Sequence, residues 1–88
     1  NPNLSQNKPN PFSNSTSIEF STQETAPVTL KIYTMTGELV RTILDGSQVL
    51  IGGNYSIDLS AENLNSGMYY YVIQAGMYID SRTMSVVK

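Results

Sequence analysis

The stretch from Ser66 to Ala75 constrains the fold more than any other part of the chain. It reads Ser-Gly-Met-Tyr-Tyr-Tyr-Val-Ile-Gln-Ala, and aromatic and β-branched residues favour a pleated, half-buried strand. Both alternating sides of the stretch are apolar except at Gln74, a pattern typical of a strand with neighbours on both sides. Turn signals bracket it at Ser66-Gly67 and at Gly76. We therefore expect the central strand of a small β-domain here.

Most other apolar residues alternate with polar ones in short segments, which is the pattern of strands with one buried face. Residues 28–33 and 38–44 flank a turn in which Gly37 supplies a positive φ, so they predict a β-hairpin. The next three residues, Asp45–Ser47, are expected to loop out. Residues 61–64 are expected to make one helical turn that places Leu64 at the end of the domain.

Strands are thus predicted over residues 16–21, 28–33, 39–44, 55–60, 69–75 and 78–87. About seven short strands separated by turn signals predict an all-β fold, an Ig-like antiparallel β-sandwich. A barrel of similar strand number is the alternative architecture.

Composition excludes several classes of function. The chain has no Cys and no His, so it can hold no disulfide, thiolate metal site, His-ligated zinc or His general base. Its seven acidic and five basic residues are scattered, and neither nucleic acid nor an anionic membrane is an expected partner. No apolar run approaches the ~18 residues of a transmembrane helix. We expect one domain, and a piece of a longer protein whose signal peptide lies elsewhere.

The first fifteen residues differ from the rest of the chain. Pro2, Pro9 and Pro11 lie there, and prolines fix φ and remove backbone donors. Leu4 and Phe12 are the only large apolar residues of the segment. We expect residues 1–15 to be a linker that docks onto a sandwich formed by residues 16–88, with Phe12 as the docking group; a plain linker is the alternative.

The acidic residues do not form a recognisable catalytic or metal site. Asp45, Asp58 and Glu62 lie near turns without the apolar neighbours that would raise a carboxyl pKa, so solvated or capping roles are favoured over acid–base catalysis. A calcium site built from Asp58 and Asp80 would need an alternating Asp-x-Asp loop, which is missing. We expect no enzyme activity, cofactor or small-molecule substrate.

The tyrosines admit two readings. Tyrosine rings can stack on sugars, but the consecutive Tyr69, Tyr70 and Tyr71 alternate in direction, so at most two of them can share one platform. Packing in the core is the favoured alternative.

Five blocks of the chain, in order, resemble the C-terminal sorting domain of proteins exported by the type IX secretion system of Bacteroidetes-type bacteria. The resemblance covers residues 7 to 88. Flagellar hook-cap Ig-like domains share some of the blocks and are the near neighbour. The blocks are Asn7-Lys8-Pro9-Asn10-Pro11-Phe12, residues 28–33 with Thr36-Gly37-Glu38-Leu39-Val40, Gly53-Asn54-Tyr55, Leu64-Asn65-Ser66-Gly67-Met68-Tyr69-Tyr70-Tyr71, and residues 82–88.

This resemblance implies a non-catalytic signal domain at the end of a larger cargo protein. The cargo would reach the periplasm and cross the outer membrane through the secretion translocon. A sortase-type surface protease would cut upstream of the domain and attach the cargo to the cell surface. The motif residues carried over from the family are Pro9, Asn10, Pro11, Phe12, Gly37, Gly67, Tyr69 and Tyr71.

The last strand and the residues after it are the expected recognition element, read by strand addition or through a side-chain patch. The predicted contact residues are Arg82, Met84, Val86, Val87 and Lys88. The alternative is that this segment only closes the sheet. Two other functions stay open at this point: an Ig-like carbohydrate-binding or adhesion module, and a structural spacer.

Overall fold

The computed structural model describes residues 3–88, so the first two residues of the predicted 1–15 segment lie outside the described residues. The described chain forms two antiparallel sheets, of three strands in the order β1-β2-β5 and of four strands in the order β4-β3-β6-β7. The predicted β-sandwich is confirmed, and the barrel alternative is wrong because the strands divide into two separate sheets. The strands are β1 (Asn3–Leu4), β2 (Ser15–Thr22), β3 (Ala26–Thr34), β4 (Leu39–Leu50), β5 (Gly53–Ser60), β6 (Gly67–Ala75) and β7 (Tyr78–Val86).

The core lies between the two sheets and is built from every second residue of the strands. In β2, for example, Ile18 and Phe20 are buried while Glu19 between them is exposed. Strand β3 buries Leu30 and Ile32 from the opposite sheet. Burial of each such side chain contributes about 1.5–3 kcal/mol to stability, so this alternation determines which faces of the two sheets pack together.

Strand β6 is the central strand that its sequence predicts. It pairs with β3 on one side, with Tyr71 opposite Ile32, and with β7 on the other, with Tyr71 opposite Arg82. Tyr71 and Ile73 point into the core and are fully buried. The strand's outer face is only partly covered, because Met68 is 51% exposed and Tyr70 and Val72 are half-buried.

The β3–β4 hairpin forms as predicted, but its second strand is longer than expected. Gly37 has φ 94°, and its N–H donates to the carbonyl of Thr34 at 2.9 Å. Strand β4 then continues through Asp45–Ser47, so the predicted loop at these residues is wrong. The chain accommodates the turn-forming residues as a bulge: Thr29 pairs with Asp45 but Pro27 with Val49, and Gly46 inside the bulge has φ 85°.

Residues 61–64 form a single hydrogen-bonded turn, in which the N–H of Leu64 donates to the carbonyl of Ala61 at 3.0 Å. The hydroxyl of Ser60 accepts from the N–H of Glu62. Leu64 is buried in the core, at the end of the sandwich. Within residues 3–88, no helix has the length and hydrophobicity that crossing a membrane requires.

Candidate functional site

Strand β7, which carries the predicted recognition residues, is an edge strand of the four-stranded sheet. Its nine residues pair with β6 without a register shift, from Tyr78 opposite Ala75 to Val86 opposite Gly67. In an antiparallel ladder every second residue turns its N–H and C=O away from the partner strand. In β7 these are the odd-numbered residues, and together they form a regular edge.

The structure separates the five predicted recognition residues into two groups. Met84 and Val86 are 0% and 1% exposed and belong to the core, so in the folded domain their side chains are out of a partner's reach. Strand alternation turns both of them inward, and their role in recognition stays a prediction. Val87 is 54% exposed, Lys88 is exposed and Arg82 is half-buried. Recognition through these three residues stays a prediction.

Arg82 is engaged in an ion pair near the middle of β7. Its Nη1 lies 3.0 Å from Asp80 Oδ1 and also donates to the carbonyl of Ser81 at 2.8 Å. Asp80 Oδ1 accepts from the N–H of Ser81, and this hydrogen bond, ahead of the nearby Arg82 charge, lowers the pKa of Asp80. The two side chains therefore occupy both backbone groups that Ser81 presents at the edge.

The C-terminal half of the same edge is covered by residues 6–12, which we call the strap. The N–H of Phe12 donates to the carbonyl of Ser85 at 3.0 Å, and the N–H of Val87 donates to the carbonyl of Phe12 at 2.9 Å. Asn10 Oδ1 accepts from the N–H of Ser85 at 2.9 Å, and Gln6 Nε2 donates to the carbonyl of Thr83. The edge expected to be open for strand addition is thus covered at residues 83–87.

The other end of the strap is attached to the three-stranded sheet. Lys8 and Ser17 exchange two backbone hydrogen bonds, of 2.9 and 2.8 Å. Asn7 is 1% exposed, and its Nδ2 donates to Thr16 Oγ1 and to the carbonyl of Pro9, both at 3.1 Å. The strap therefore crosses from one sheet to the other and closes one side of the sandwich.

The four strap residues of the family motif have different positions. Phe12 is buried in the core at 3% exposure, and it is the apolar anchor of the strap. Pro9, Asn10 and Pro11 are exposed; Pro9 contributes its carbonyl as the acceptor for Thr16 Oγ1 at 2.8 Å. The peptide bonds preceding Pro9 and Pro11 are cis.

The motif tyrosines are inward-facing residues of β6 that bond to loops. Tyr71 donates from its hydroxyl to the carbonyl of Ser5 at 2.7 Å, which ties the residue just before the strap to the central strand. Burial raises the pKa of Tyr71 to about 12. Tyr69 donates to the carbonyl of Asn65 at 2.7 Å. Gly67 precedes them with φ 150°, a conformation that L side chains rarely adopt.

Two tyrosine-containing ring pairs stack within residues 3–88. Tyr33 and Tyr70, on the outer face of the four-stranded sheet, stack on each other with centroids 5.3 Å apart and planes 18° apart. Tyr55 stacks on Phe20 at 5.5 Å. These contacts do not test the carbohydrate-binding alternative, which stays a prediction.

The acidic residues make hydrogen bonds in turns and at the surface. Hydrogen bonds from the side chain and backbone of Ser47 lower the pKa of Asp45, and Asp58 accepts from Ser17 Oγ at 2.8 Å. In the part of the chain that the structure describes, no three acidic side chains come together as a metal site.

The comparison with protein families decides what kind of domain this is. A model described as the secretion system C-terminal sorting domain matches residues 9–87, nearly the whole chain. The chain belongs to this type IX secretion family. No curated protein matches it. The match to the sorting domain begins inside the strap and ends one residue after β7, so the two segments that meet at the β7 edge lie at the two ends of the matched range.

The strap on β7 is the part of the site that sequence reasoning did not predict. The motif residues were identified, yet the contacts of Gln6 and Asn10 with β7 join residues 77 and 75 positions apart. Buried Asn7 also was not identified. A single Asn in a polar segment shows no pattern that predicts burial. The one sequence feature that could have identified Asn7 is its place at the start of the Asn-x-Pro-Asn-Pro-Phe block.

Proposed function

We propose that this domain is a non-catalytic export address that directs a larger cargo protein across the outer membrane through the type IX secretion system. The observation that carries the proposal is the family match over residues 9–87, a range that contains strands β2 to β7 of the sandwich. Membership of the family implies an upstream cargo domain and the secretion machinery as partners, and an exported protein of the cell surface or exterior.

The finer steps of the route also belong to the proposal. The cargo reaches the periplasm first, the translocon then reads the sorting domain, and a sortase-type protease cuts upstream of it and attaches the cargo to the cell surface. The absence of His and Cys from the sequence supports a role in which the domain is recognised by catalysts and does no chemistry itself.

We propose that the translocon contacts a patch made of Arg82, Val87 and Lys88. These are the three predicted residues that remain accessible, and they combine an exposed apolar group with two cations. The backbone of the tail is held in place beneath this patch, because the N–H of Lys88 donates to Ser66 Oγ at 3.0 Å. A fixed backbone favours recognition because less conformational entropy is lost on binding.

The division of the chain at about residue 15 is likewise a proposal. The burial of Leu4 and Phe12 supports docking of the first segment, and the Lys8–Ser17 backbone bonds support a fixed position for it.

The proposal is tested by fusing residues 1–88 to the C-terminus of a reporter that carries its own signal peptide, in a host with type IX secretion. We expect the reporter at the cell surface or in the medium. Replacing both Arg82 and Lys88 by Ala should retain it in the periplasm, whereas the matched control Lys31→Ala, on the outer face of β3, should not. Periplasmic retention of the unmodified fusion would contradict the proposed export function. Export of the double variant would contradict only the proposed contact through the patch.

A further inference from the structure

We propose that the outer edge of β7 at residues 83–87 is a second contact surface, which takes an extended strand of the secretion machinery after the strap has been displaced. This inference rests on the proposed function, since it names the partner's form and the state of the domain that the partner binds. The exposed patch and this edge are adjacent, because Val87 belongs to both.

The regularity of β7 defines what fits its edge. The strand has nine residues in unbroken register with β6, and its outward backbone groups repeat at every second residue. An extended chain is the ligand that matches such a repeat, as in the recognition of peptides by β-augmentation. The strap demonstrates this directly: Phe12 pairs with Val86 in parallel, as one rung of a ladder.

The strap is an incomplete partner for this edge. Two backbone hydrogen bonds join it to β7, both made by Phe12. At Thr83 and Ser85 the amide side chains of Gln6 and Asn10 replace the backbone groups that a strand would supply. Pro9 and Pro11 have no N–H, so this segment cannot provide a full ladder. A strand without proline can make more bonds here than the strap makes.

The edge is bounded, which limits where a partner strand can pair. At Ser81 both backbone groups are already occupied by Asp80 and Arg82. Displacing the strap therefore exposes five residues, from Thr83 to Val87, and leaves the ladder between β6 and β7 intact.

Displacement needs only local opening. The strap buries one aromatic ring, Phe12, and one amide, Asn7, while Lys8–Pro11 are exposed and hold it through hydrogen bonds at the surface. Local openings of this kind require less free energy than global unfolding, and segments that exchange partners belong to this class. The strap leads toward the N-terminus, the side on which membership of the family implies the cargo.

The test is a reversible disulfide between strap and edge in the full-length reporter fusion. Pro11 and Ser85 immediately precede the paired residues Phe12 and Val86, so Pro11→Cys with Ser85→Cys forms the lock in a chain that otherwise has no Cys. Glu19→Cys with Ser56→Cys, a facing pair of β2 and β5, is the matched control that strengthens the sandwich without holding the strap. Each disulfide is verified by mass and each fold by its unfolding midpoint.

We expect the oxidised lock to lower export by about thirtyfold or more. A typical engineered disulfide shifts an equilibrium by about that factor, here the one between the bound and the displaced strap. Addition of reductant should restore export, and the oxidised control pair should be exported at the parent level. Equal export of the oxidised and reduced lock would overturn strap displacement and leave the proposed function standing. Loss of export in both oxidised pairs would also overturn it, since export would then require general loosening. Failure of the unmodified fusion to be exported would instead overturn the proposed function.

Discussion

The two edges of the four-stranded sheet, β7 and β4, are protected from unwanted strand pairing in opposite ways. Strand β7 is regular and covered by the strap. Strand β4 is longer, at 12 residues, and its register with β3 shifts in three places. Within residues 3–88, no backbone hydrogen bond outside the β3–β4 ladder involves β4. An irregular edge is a poor template for a further strand, so it needs no cover.

This difference indicates which edge is built to be used. Bulges discourage pairing permanently, whereas a segment that covers a regular edge discourages it only while it is bound. Side chains strengthen the irregular edge further: Arg41 of β4 donates to the carbonyls of Ser60 and Glu62, which fixes β4 against the other sheet. The regular edge is the one that a partner strand can occupy once its cover moves.

The largest expected effect is on the anchor of the cover. Phe12→Ala should lower the free energy of unfolding by about 3–5 kcal/mol, because it empties a buried aromatic site. Val49→Ala on β4, where the side chain is 58% exposed, is the matched change at the other edge and should alter it by no more than about 0.5 kcal/mol. Denaturant unfolding measures both. Equal losses of stability in the two variants would show that the covered edge and the irregular edge do not differ in this way.

The bulge of β4 should be the next most sensitive position. Gly46→Ala places a side chain at φ 85° with its Cβ 3.1 Å from Thr29 Cγ2, so we expect a loss of about 1–2 kcal/mol. Denaturant unfolding reports the loss, and sedimentation reports whether the altered edge now associates. A variant as stable as the parent would show that the bulge is not fixed by Gly46.

Tyr71→Phe tests the bond between the central strand and the residues leading into the strap. Loss of the hydrogen bond to Ser5 should lower the free energy of unfolding by about 1 kcal/mol at neutral pH. Because burial raises the pKa of Tyr71 from 10.0 to about 12, the neutral hydroxyl stabilises the fold fully below pH 10. That contribution is lost as the pH rises from about 10 to about 12.

The Phe variant should therefore lose less stability than the parent over this alkaline range. Unfolding curves of both proteins at a series of pH values measure the difference. Parallel pH profiles would show that Tyr71 does not titrate between these limits.

The smallest effect is expected at the ion pair on β7. Asp80→Asn should change the free energy of unfolding by no more than about 1 kcal/mol, because both partners are about one-third exposed. The folded-state pKa of Asp80 is lowered, so its contribution is present above the ordinary Asp pKa of 3.8 and disappears as the pH falls through the lowered value. The stabilities of the parent and the variant should therefore differ by a constant amount near neutral pH and converge as the pH falls below about 3.8; a difference that persists unchanged in acid would contradict this assignment.

Much of the fold could be predicted because it depends on local patterns. Alternation in residues 16–21 and 28–33 fixes which faces are buried, and Gly37 fixes a turn through a single φ. The β4 bulge was missed because Asp45-Gly46-Ser47 has the composition of a loop, while pairing with β3 carries the strand through it. Tertiary pairing overrides such local signals.

The candidate site was predictable in position but not in its arrangement. Alternation alone places Met84 and Val86 inside once β7 is a strand, and that consequence conflicts with their predicted contact role. The cover on β7 depends on bonds between residues more than 70 positions apart, such as Asn10 and Ser85. No spacing in the sequence encodes a contact of this range, so the structure was needed to find it.

The most direct test of the account is native-state hydrogen exchange of the intact chain, resolved by residue. If the strap is a separable cover, the amides of Phe12 and Val87, which join it to the β7 edge, exchange through a local opening that denaturant hardly affects, and faster than the amides of Tyr69 and Tyr71 in β6. If the amides of Phe12 and Val87 exchange only with global unfolding, together with those of β6, the strap is not a separable cover and the account is wrong.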